Sequence, residues 1–410
     1  MSQNPAETDR PIGADRAATP PAHRGSGTDG RLRVMVLFGG RSSEHPVSCV
    51  TAAGVLRALD PQMYEVVPVG ITSTGQWAAV QSDPDLWSLR GTELPRVPEP
   101  EIPLVLSSTP HGHELLPART CATSGPVGQQ ETDPIPGVGG VDVVFPVLHG
   151  PYGEDGTLQG LLEMAGIPYV GPGVLASAVG MDKHFMKVAF QAAGLTVGPW
   201  ETITDRQWLT DPQAALDRAA RLEFPVFVKP ARAGSSIGIT RVTEPAGLRA
   251  AVEEARRYDP KVVVEAGIVG REIECAVLDG HGTQMPRASL PGEIVVHDGA
   301  DHHDFYDFAA KYQDSSAADL SCPAELPEQA IQTVRELAVV AFDAVEAEGL
   351  SRVDFFYTPD GEFIINEINT MPGFTPISMY PAMWERSGLP YAELLDELID
   401  LALERGTGLR

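Results

Sequence analysis

The segment from Arg352 to Ser378, RVDFFYTPDGEFIINEINTMPGFTPIS, constrains the fold more than any other stretch of the chain. Two runs of β-formers, Val353, Phe355 and Tyr357 and then Phe363, Ile364 and Ile365, flank Pro359-Asp360-Gly361, which is turn chemistry. The spacing predicts an antiparallel hairpin. With a two-residue Asp360-Gly361 connection, Asp354 falls opposite Glu367 and Arg352 opposite Asn369, and alternation puts all four on one face. Two carboxylates and an amide oxygen then converge. Acids that close repel unless a cation lies between them, and an all-oxygen set suits a hard ion such as Mg²⁺. A three-residue Pro-Asp-Gly loop would turn Glu367 to the other face unless a bulge compensated. Taken alone, the pattern also fits a solvated hairpin face with scattered charges.

Single cores stop growing at roughly 250 to 300 residues, so a chain of this length divides into two or three units. With 43% hydrophobic and 21% charged residues it reads as globular, and no run of about 18 apolar residues is present to span a membrane. The first residues, MSQNPAETDRPIGADRAATPPAHRGSGTDG, lack an apolar signal core and read as a disordered tail. A multidomain cytoplasmic enzyme is the class these features indicate. Cys49, Cys121, Cys275 and Cys322 are far apart with no C-x-x-C pairing, which points to neither a zinc site nor a disulfide framework. A net charge of −26 argues against nucleic acid or an anionic membrane as partner, because phosphate backbones need a basic footprint. It leaves room for a small anion held by a metal and a few lysines.

Leu32 to Phe38 is a buried-strand run, Gly39-Gly40-Arg41-Ser42-Ser43 a tight turn, and Val47 to Leu59 helix-like. Such a start suits an open α/β sheet whose ligands bind at the carboxyl ends of strands. Glu44 and His45 are expected in the first helical turn with Ser43 as N-cap, where Glu44 could simply complement the helix dipole. Residues 91 to 140 read as loops and short strands decorating this unit. Val141 to Leu148 is a second buried strand, followed by the glycine-marked loop His149 to Thr157 and an amphipathic helix to Ala165. Met181 to Gly194 is predicted as one helix with Lys183 in its first turn, against the dipole preference. Phe224 to Pro230 is a strand running into Ala231-Arg232-Ala233-Gly234-Ser235-Ser236-Ile237-Gly238, whose small residues leave backbone N–H groups free to form an anion nest. No P-loop motif occurs, so Lys229 is the candidate phosphate partner. Val262 to Glu265 and Glu272 to Leu278 are further strands. The aromatic stretch Asp304 to Tyr312 reads as a loop closing over a site, and helices follow over 327 to 348 and 391 to 404.

Taken together, GGRSSEHPVS, HGPYGEDGTLQG, MDK, VKPARAGSSIG, FYDFAAKY, RVDFF and NEINTMPGFTPIS resemble the D-alanine:D-alanine ligases of the ATP-grasp superfamily over about residues 32 to 404. The resemblance implies an α/β fold, α+β in part, with three-domain ATP-grasp architecture. An open parallel-sheet domain over 32–180 would carry the first D-alanine site, after a tail over 1–31. Nucleotide would lie between a central domain over 181–265 and a C-terminal domain over 266–410, the latter with the metal and second D-alanine sites. The implied reaction is ATP-dependent joining of two D-alanines through a D-alanyl phosphate, for peptidoglycan precursor synthesis. Lys183, Lys229, Ser236, Glu265, Ile268 and Glu272 would hold ATP, the lysines on phosphates and Glu272 on the ribose. Asp354, Glu367 and Asn369 would hold two Mg²⁺ ions, with Mn²⁺ as an alternative. Glu44 would bind the first D-alanine's amino group with His149 nearby, and Ser235 and Tyr312 would join Glu44 in a triad fixing the loop. Arg352 and the Gly373 backbone would stabilise the tetrahedral intermediate, and Ser378 and Met379 would receive the second substrate's carboxylate. The resemblance also implies a homodimer. The chain departs from the pattern at Ala266, Gly267 and Met379, where bulkier residues and leucine are commoner.

Three other readings make different demands. A depsipeptide or D-serine ligase is a close relative; in the resemblance the ester-forming ones tend to depart from tyrosine at position 312, which this chain keeps. A non-catalytic nucleotide sensor would have no use for both acids with Arg352. Another ATP-grasp ligase or carboxylase would have no use for the Glu44 block. With ATP and Mg²⁺ at neutral pH and equal substrates, D-alanyl-D-alanine is expected to exceed D-alanyl-D-lactate in the product; the opposite ratio would contradict this reading.

Overall fold

The computed structural model describes residues 25–89, 94–109, 112–117, 139–296 and 318–408. The expected tail lies outside these up to residue 24, and so do Tyr312 and the FYDFAAKY segment. Residues apolar on both faces belong in the middle of a covered sheet. The first sheet obeys this with β1 (Leu32–Gly39), followed by α1 (His45–Ala58), β2 (Tyr64–Ile71), β3 (Trp77–Ala79), β4 (Leu104–Thr109), β5 (Gly112–Pro117) and β6 (Val143–Pro146). Its order is β5-β4-β3-β2-β1-β6, with β1 between β2 and β6 and parallel to both. The parallel part stops there. Only residues 72 to 76 link β2 to β3, too few for a crossover, so β3, β4 and β5 run antiparallel. The 91–140 stretch thus adds strands to this sheet. Helices α2 (Thr157–Ala165) and α3 (Val174–Met181) follow.

The helix expected over Met181 to Gly194 is broken at Asp182. There the backbone is extended, and the Asp182 carboxylate accepts from the His184 and Phe185 N–H groups to cap α4 (Lys183–Ala192). The second sheet then forms from β7 (Trp200–Ile203), β8 (Val226–Pro230), β9 (Thr240–Val242) and β10 (Val262–Ala266), all antiparallel in the order β7-β10-β8-β9. Between them run α5 (Asp205–Thr210), α6 (Pro212–Ala219) and α7 (Leu248–Ala255). Strand alternation decides what each face carries. Val226, Val228, Val262 and Val264 join the core under these helices, while Phe227, Lys229 and Glu265 face the other way.

The third sheet has β11 (Arg271–Leu278), β12 (Arg287–Ala288), β13 (Gly292–Val296), β14 (Ala318–Ser321), β15 (Leu350–Tyr357) and β16 (Phe363–Asn369), ordered β14-β13-β11-β15-β16 with β12 on β11. Its helix α8 (Glu328–Ala344) stops short of residue 348, because Glu346 and Gly349 take positive φ and turn the chain into β15. Ile273, Cys275, Val277, Val353, Phe355 and Ile365 pack toward α8 in one core. The acids on the opposite face look toward the second sheet.

The β15–β16 hairpin departs from the two-residue turn. Thr358 N–H donates to Glu362 O and Gly361 N–H to Thr358 O, each at 2.9 Å, so three residues lie between the last paired positions. That register runs through Tyr357–Phe363 to Phe355–Ile365 and by itself would set Asp354 against Asn366. Instead the ladder slips by one residue: Asn366 bulges, and Asp354 faces Glu367 while Arg352 faces Asn369. The acids share a face because of the bulge, and the turn alone would have separated them.

Helices α9 (Met379–Arg386) and α10 (Tyr391–Arg405) end the described chain. Their apolar side chains do not stay with the third sheet alone. Leu394, Leu395, Leu398 and Ile399 share one core with Val34, Val36, Phe38 and Phe145 of the first sheet, and the Tyr64 hydroxyl donates to Asp396 at 2.8 Å. Leu398 is 1% exposed. Leu398→Ala is therefore expected to cost about 2–5 kcal/mol in urea unfolding; a loss under about 1 kcal/mol would show that the site collapses freely or that α10 is only loosely docked.

Candidate active site

Two strand-end loops of the first sheet meet beside the phosphate-type loop of the second. β1 and β6 are parallel neighbours, so the turn at 40–44 and the loop from His149 leave the same carboxyl edge. Ser42 Oγ ties them by donating to His149 O at 2.6 Å. Glu44 takes the N-cap position of α1 itself, where Ser43 was expected, yet its side chain makes no cap hydrogen bond. The carboxylate turns into the cleft and accepts from Ser235 Oγ. It fits there because of glycine: a Cβ at Gly150 would come within 2.6 Å of Glu44 Oε2, and one at Gly234 within 2.8 Å. Ser235 and Ser236 both hold positive φ, 46° and 57°, which side chains other than glycine's rarely adopt. Arg232, at the start of this loop, is anchored by three hydrogen bonds to Asp259 at 2.7–2.9 Å.

His149 is buried, and burial lowers its pKa despite the nearby Glu44 charge. Its Nδ1 lies 3.2 Å from Met371 O, an oxygen that can only accept, so Nδ1 carries the proton and Nε2 faces Thr51 Oγ1. Glu154 stands beside it. Burial and then the Glu44 charge push its carboxyl up to about 8, while N–H groups of Gly150 and Met371 pull the other way.

Across the cleft, Lys229 Nζ donates to Glu265 Oε2 at 2.7 Å and Lys187 Nζ lies 3.2 Å from Glu265 Oε1. Burial alone would raise the Glu265 carboxyl, but the two ammonium groups bring it down to about 2. Lys183, the first residue of α4, donates to Ala233 O at 3.1 Å and lies 3.4 Å from Glu367. Three lysines and the loop's backbone thus surround one cavity of about 490 Å³, which Glu44, His149, Ser235, Arg352 and Gly373 also line. Phe227, Ile239, Ile268 and Phe356 give it an apolar end, and Glu272 borders it. The arrangement can hold a polyphosphate together with a flat apolar ring and a small amino acid.

On the third sheet, Arg352 grips Asp354 with two hydrogen bonds of 2.8 and 2.7 Å and lies 3.3 Å from Glu274. Burial disfavours its charge, but Asp354 and Glu274 raise its pKa well above the usual value. Asn369 Nδ2 donates to Asp354 Oδ2 at 2.9 Å. Among the described residues no three His, Cys, Asp or Glu side chains gather for a metal. The donors here are two carboxylates and an amide, all oxygen, and they fit a hard divalent ion that completes its shell with water and phosphate.

Most of the expected residues therefore converge. Two do not reach the cavity wall. The Met379 side chain is 5% exposed within the first-sheet core, and Ser378 Oγ pairs with Thr375 at 2.7 Å. What they can offer a ligand is the amino end of α9. Sequence reasoning missed Glu154, Lys187 and Glu274. Lys187 follows Lys183 by one helical turn and Glu274 follows Glu272 on the same strand face, so spacing could have found both.

The chain matches family descriptions reading "D-ala D-ala ligase N-terminus" over residues 33–172 and "D-ala D-ala ligase C-terminus" over 189–400. It is 64% identical to a D-alanine–D-alanine ligase of Arthrobacter sp. over 92% of this chain and 96% of that one. A Streptomyces griseus protein of the same name is 52% identical over 98% of both. Among solved structures, the D-alanine-D-alanine ligase of Coxiella burnetii superposes with a TM-score of 0.72 at 35% identity, covering 92% of this chain and 94% of that one. VanG D-Ala:D-Ser ligase from Enterococcus faecalis gives 0.73 at 35%, covering 91% and 99%.

The raised Glu154 carboxyl makes stability pH-dependent in a defined direction. An unfolded glutamate loses its proton near 4.5 and the folded one near 8, so the unfolded state binds fewer protons between those values and this contribution is lost as pH rises through that window. Glu154→Gln is expected to flatten the decline in thermal midpoint across it. An unchanged slope would show that Glu154 does not titrate there.

Proposed function

The chain belongs to the D-alanine:D-alanine ligase family and joins two D-alanines with ATP, and we propose that the cavity between the second and third sheets is where it does so. One observation carries this reading. Glu44, from the first sheet, contacts Ser235, from the phosphate-type loop, inside a single cavity with Lys183 and Lys229. An amino acid bound at Glu44 therefore lies next to the phosphates of a nucleotide.

A carboxylate is a poor acyl donor, so the first step transfers phosphoryl from ATP to the first D-alanine, and ADP leaves. We assign its ammonium to Glu44, with neutral His149 beside it, and the nucleotide phosphates to Lys183, Lys229 and the backbone around Ser235 and Ser236. Phe227 and Ile268 would flank the base, with Glu265 and Glu272 toward adenine and ribose. Mg²⁺ or Mn²⁺, held by Asp354, Glu367 and Asn369, would neutralise charge on the transferring phosphoryl group. The deprotonated amine of the second D-alanine then attacks the acyl phosphate carbonyl, and phosphate departs. Arg352, held by its two hydrogen bonds to Asp354, would stabilise the oxyanion, and the Gly373 N–H would join it. The second carboxylate would meet the amino end of α9 at Ser378 and Met379. Burial of these groups limits hydrolysis of the acyl phosphate.

The finer organisation we propose follows the same resemblance. It comprises units over 32–180, 181–265 and 266–410, a cytoplasmic location and a homodimer. Exposed Leu161, Met164 and Leu175 on α2 and α3 supply an apolar surface for the dimer. No helix among the described residues is long and apolar enough to cross a membrane.

Phosphate release is the direct assay. It should be fastest with D-alanine among D-alanine, D-serine, D-lactate and L-alanine. Glu44→Gln should raise the first D-alanine's KM by about tenfold, the loss of one charge-assisted contact. Unaltered D-alanine dependence in that variant would remove the assignment of Glu44.

A further inference from the structure

Lys187 has no part in the scheme so far, although it is placed among its working residues. It lies one turn beyond Lys183 on α4, is 3% exposed, and lines the same cavity. Its Nζ makes two contacts. One is the ion pair with Glu265 Oε1 at 3.2 Å, and the other is donation to Asn366 O, the bulged residue of the third sheet, at 3.4 Å. Glu265 therefore stands between two ammonium groups, with Lys229 2.7 Å from its other oxygen. Without Lys187, Glu265 and Lys229 would form a closed neutral pair, and a polyphosphate would have to compete with Glu265 for its lysine. With Lys187, the trio carries one net positive charge. We infer that Lys187 is a positioning residue that divides the charge of Glu265, so that Lys229 stays available to the nucleotide phosphates. Its hydrogen bond to Asn366 further ties α4 to the strand that presents Glu367.

The inference rests on the reading that this cavity binds nucleotide, and the test separates the two. Four proteins, wild type, Lys187→Met, Glu265→Gln and the double variant, are compared by ATP KM and by calorimetric ADP affinity. Lys187→Met should weaken nucleotide by about tenfold, the size of one lost charge-assisted contact, while the first D-alanine's KM moves by less than about twofold. In the Glu265→Gln background, where no carboxylate competes for Lys229, the same substitution should cost less than about twofold, a non-additivity that a purely structural role would not produce. Equal losses in both backgrounds, or a D-alanine KM that rises with the ATP KM, would overturn the inference. Lys187→Gln keeps a donor for Asn366 O without the charge and should match Lys187→Met; wild-type nucleotide affinity in it would also overturn the inference, and it serves if the Met variant does not fold. Lys229→Met is the control for the underlying reading. If ATP binding survives it unchanged, the cavity is not the phosphate site; if it weakens binding and the Lys187 variants do not, only the role of Lys187 fails.

Discussion

Buried charge is tolerable only in company, and Glu265 between Lys187 and Lys229 shows the constraint at the centre of this molecule. Each ion would be costly alone in a water-poor cleft, where desolvation outweighs any single attraction. The lysines drive the Glu265 carboxyl down to about 2 and Glu265 raises Lys229, while burial still lowers Lys187 against the pull of Glu265. The consequence reaches outward in both directions. Lys229 is fixed by β8 and Glu265 by β10, while Lys187 arrives from α4 and reaches on to Asn366 of β16. The ion cluster thus joins the second sheet to the third across the space where a nucleotide would lie.

The hairpin shows how far local pattern carries and where it stops. Asp354, Glu367, Arg352 and Asn369 could be assigned to one face from alternation alone, and they share it. The reason differs from the simplest expectation, because a three-residue turn puts the ladder out of phase and the Asn366 bulge restores it. A bulge leaves little trace in composition. The other misses share that character. Glu154 sits within a recognisable glycine loop, but its raised pKa comes first from burial and then from the charge of Glu44, distant in sequence and near only in the fold. The break at Asp182 is a capping event inside an otherwise continuous helical pattern.

Glu44 illustrates the opposite case. Its neighbourhood reads as an ordinary helix start, and an acidic residue there needs no more than the dipole to explain it. Only the close approach of Gly150 and Gly234 to its carboxylate, and the serine that meets it from another sheet, distinguish a cleft-facing acid from a capping one. Family resemblance singled it out because the motifs occur together; geometry supplies the physical ground. Conversely, the resemblance directs attention to Met379, whose side chain is spent on the core, and leaves the backbone of α9 as the part able to meet a carboxylate.

The packing of α9 and α10 against the first sheet reaches beyond the finished molecule. The core that begins at Leu32 is closed by residues as late as Ala402. A ribosome delivers the chain from its amino end, and domains generally fold in that order. Here the sheet made first keeps an open apolar flank until the last helices emerge from the exit tunnel. A chain released before α10 would carry that apolar flank uncovered.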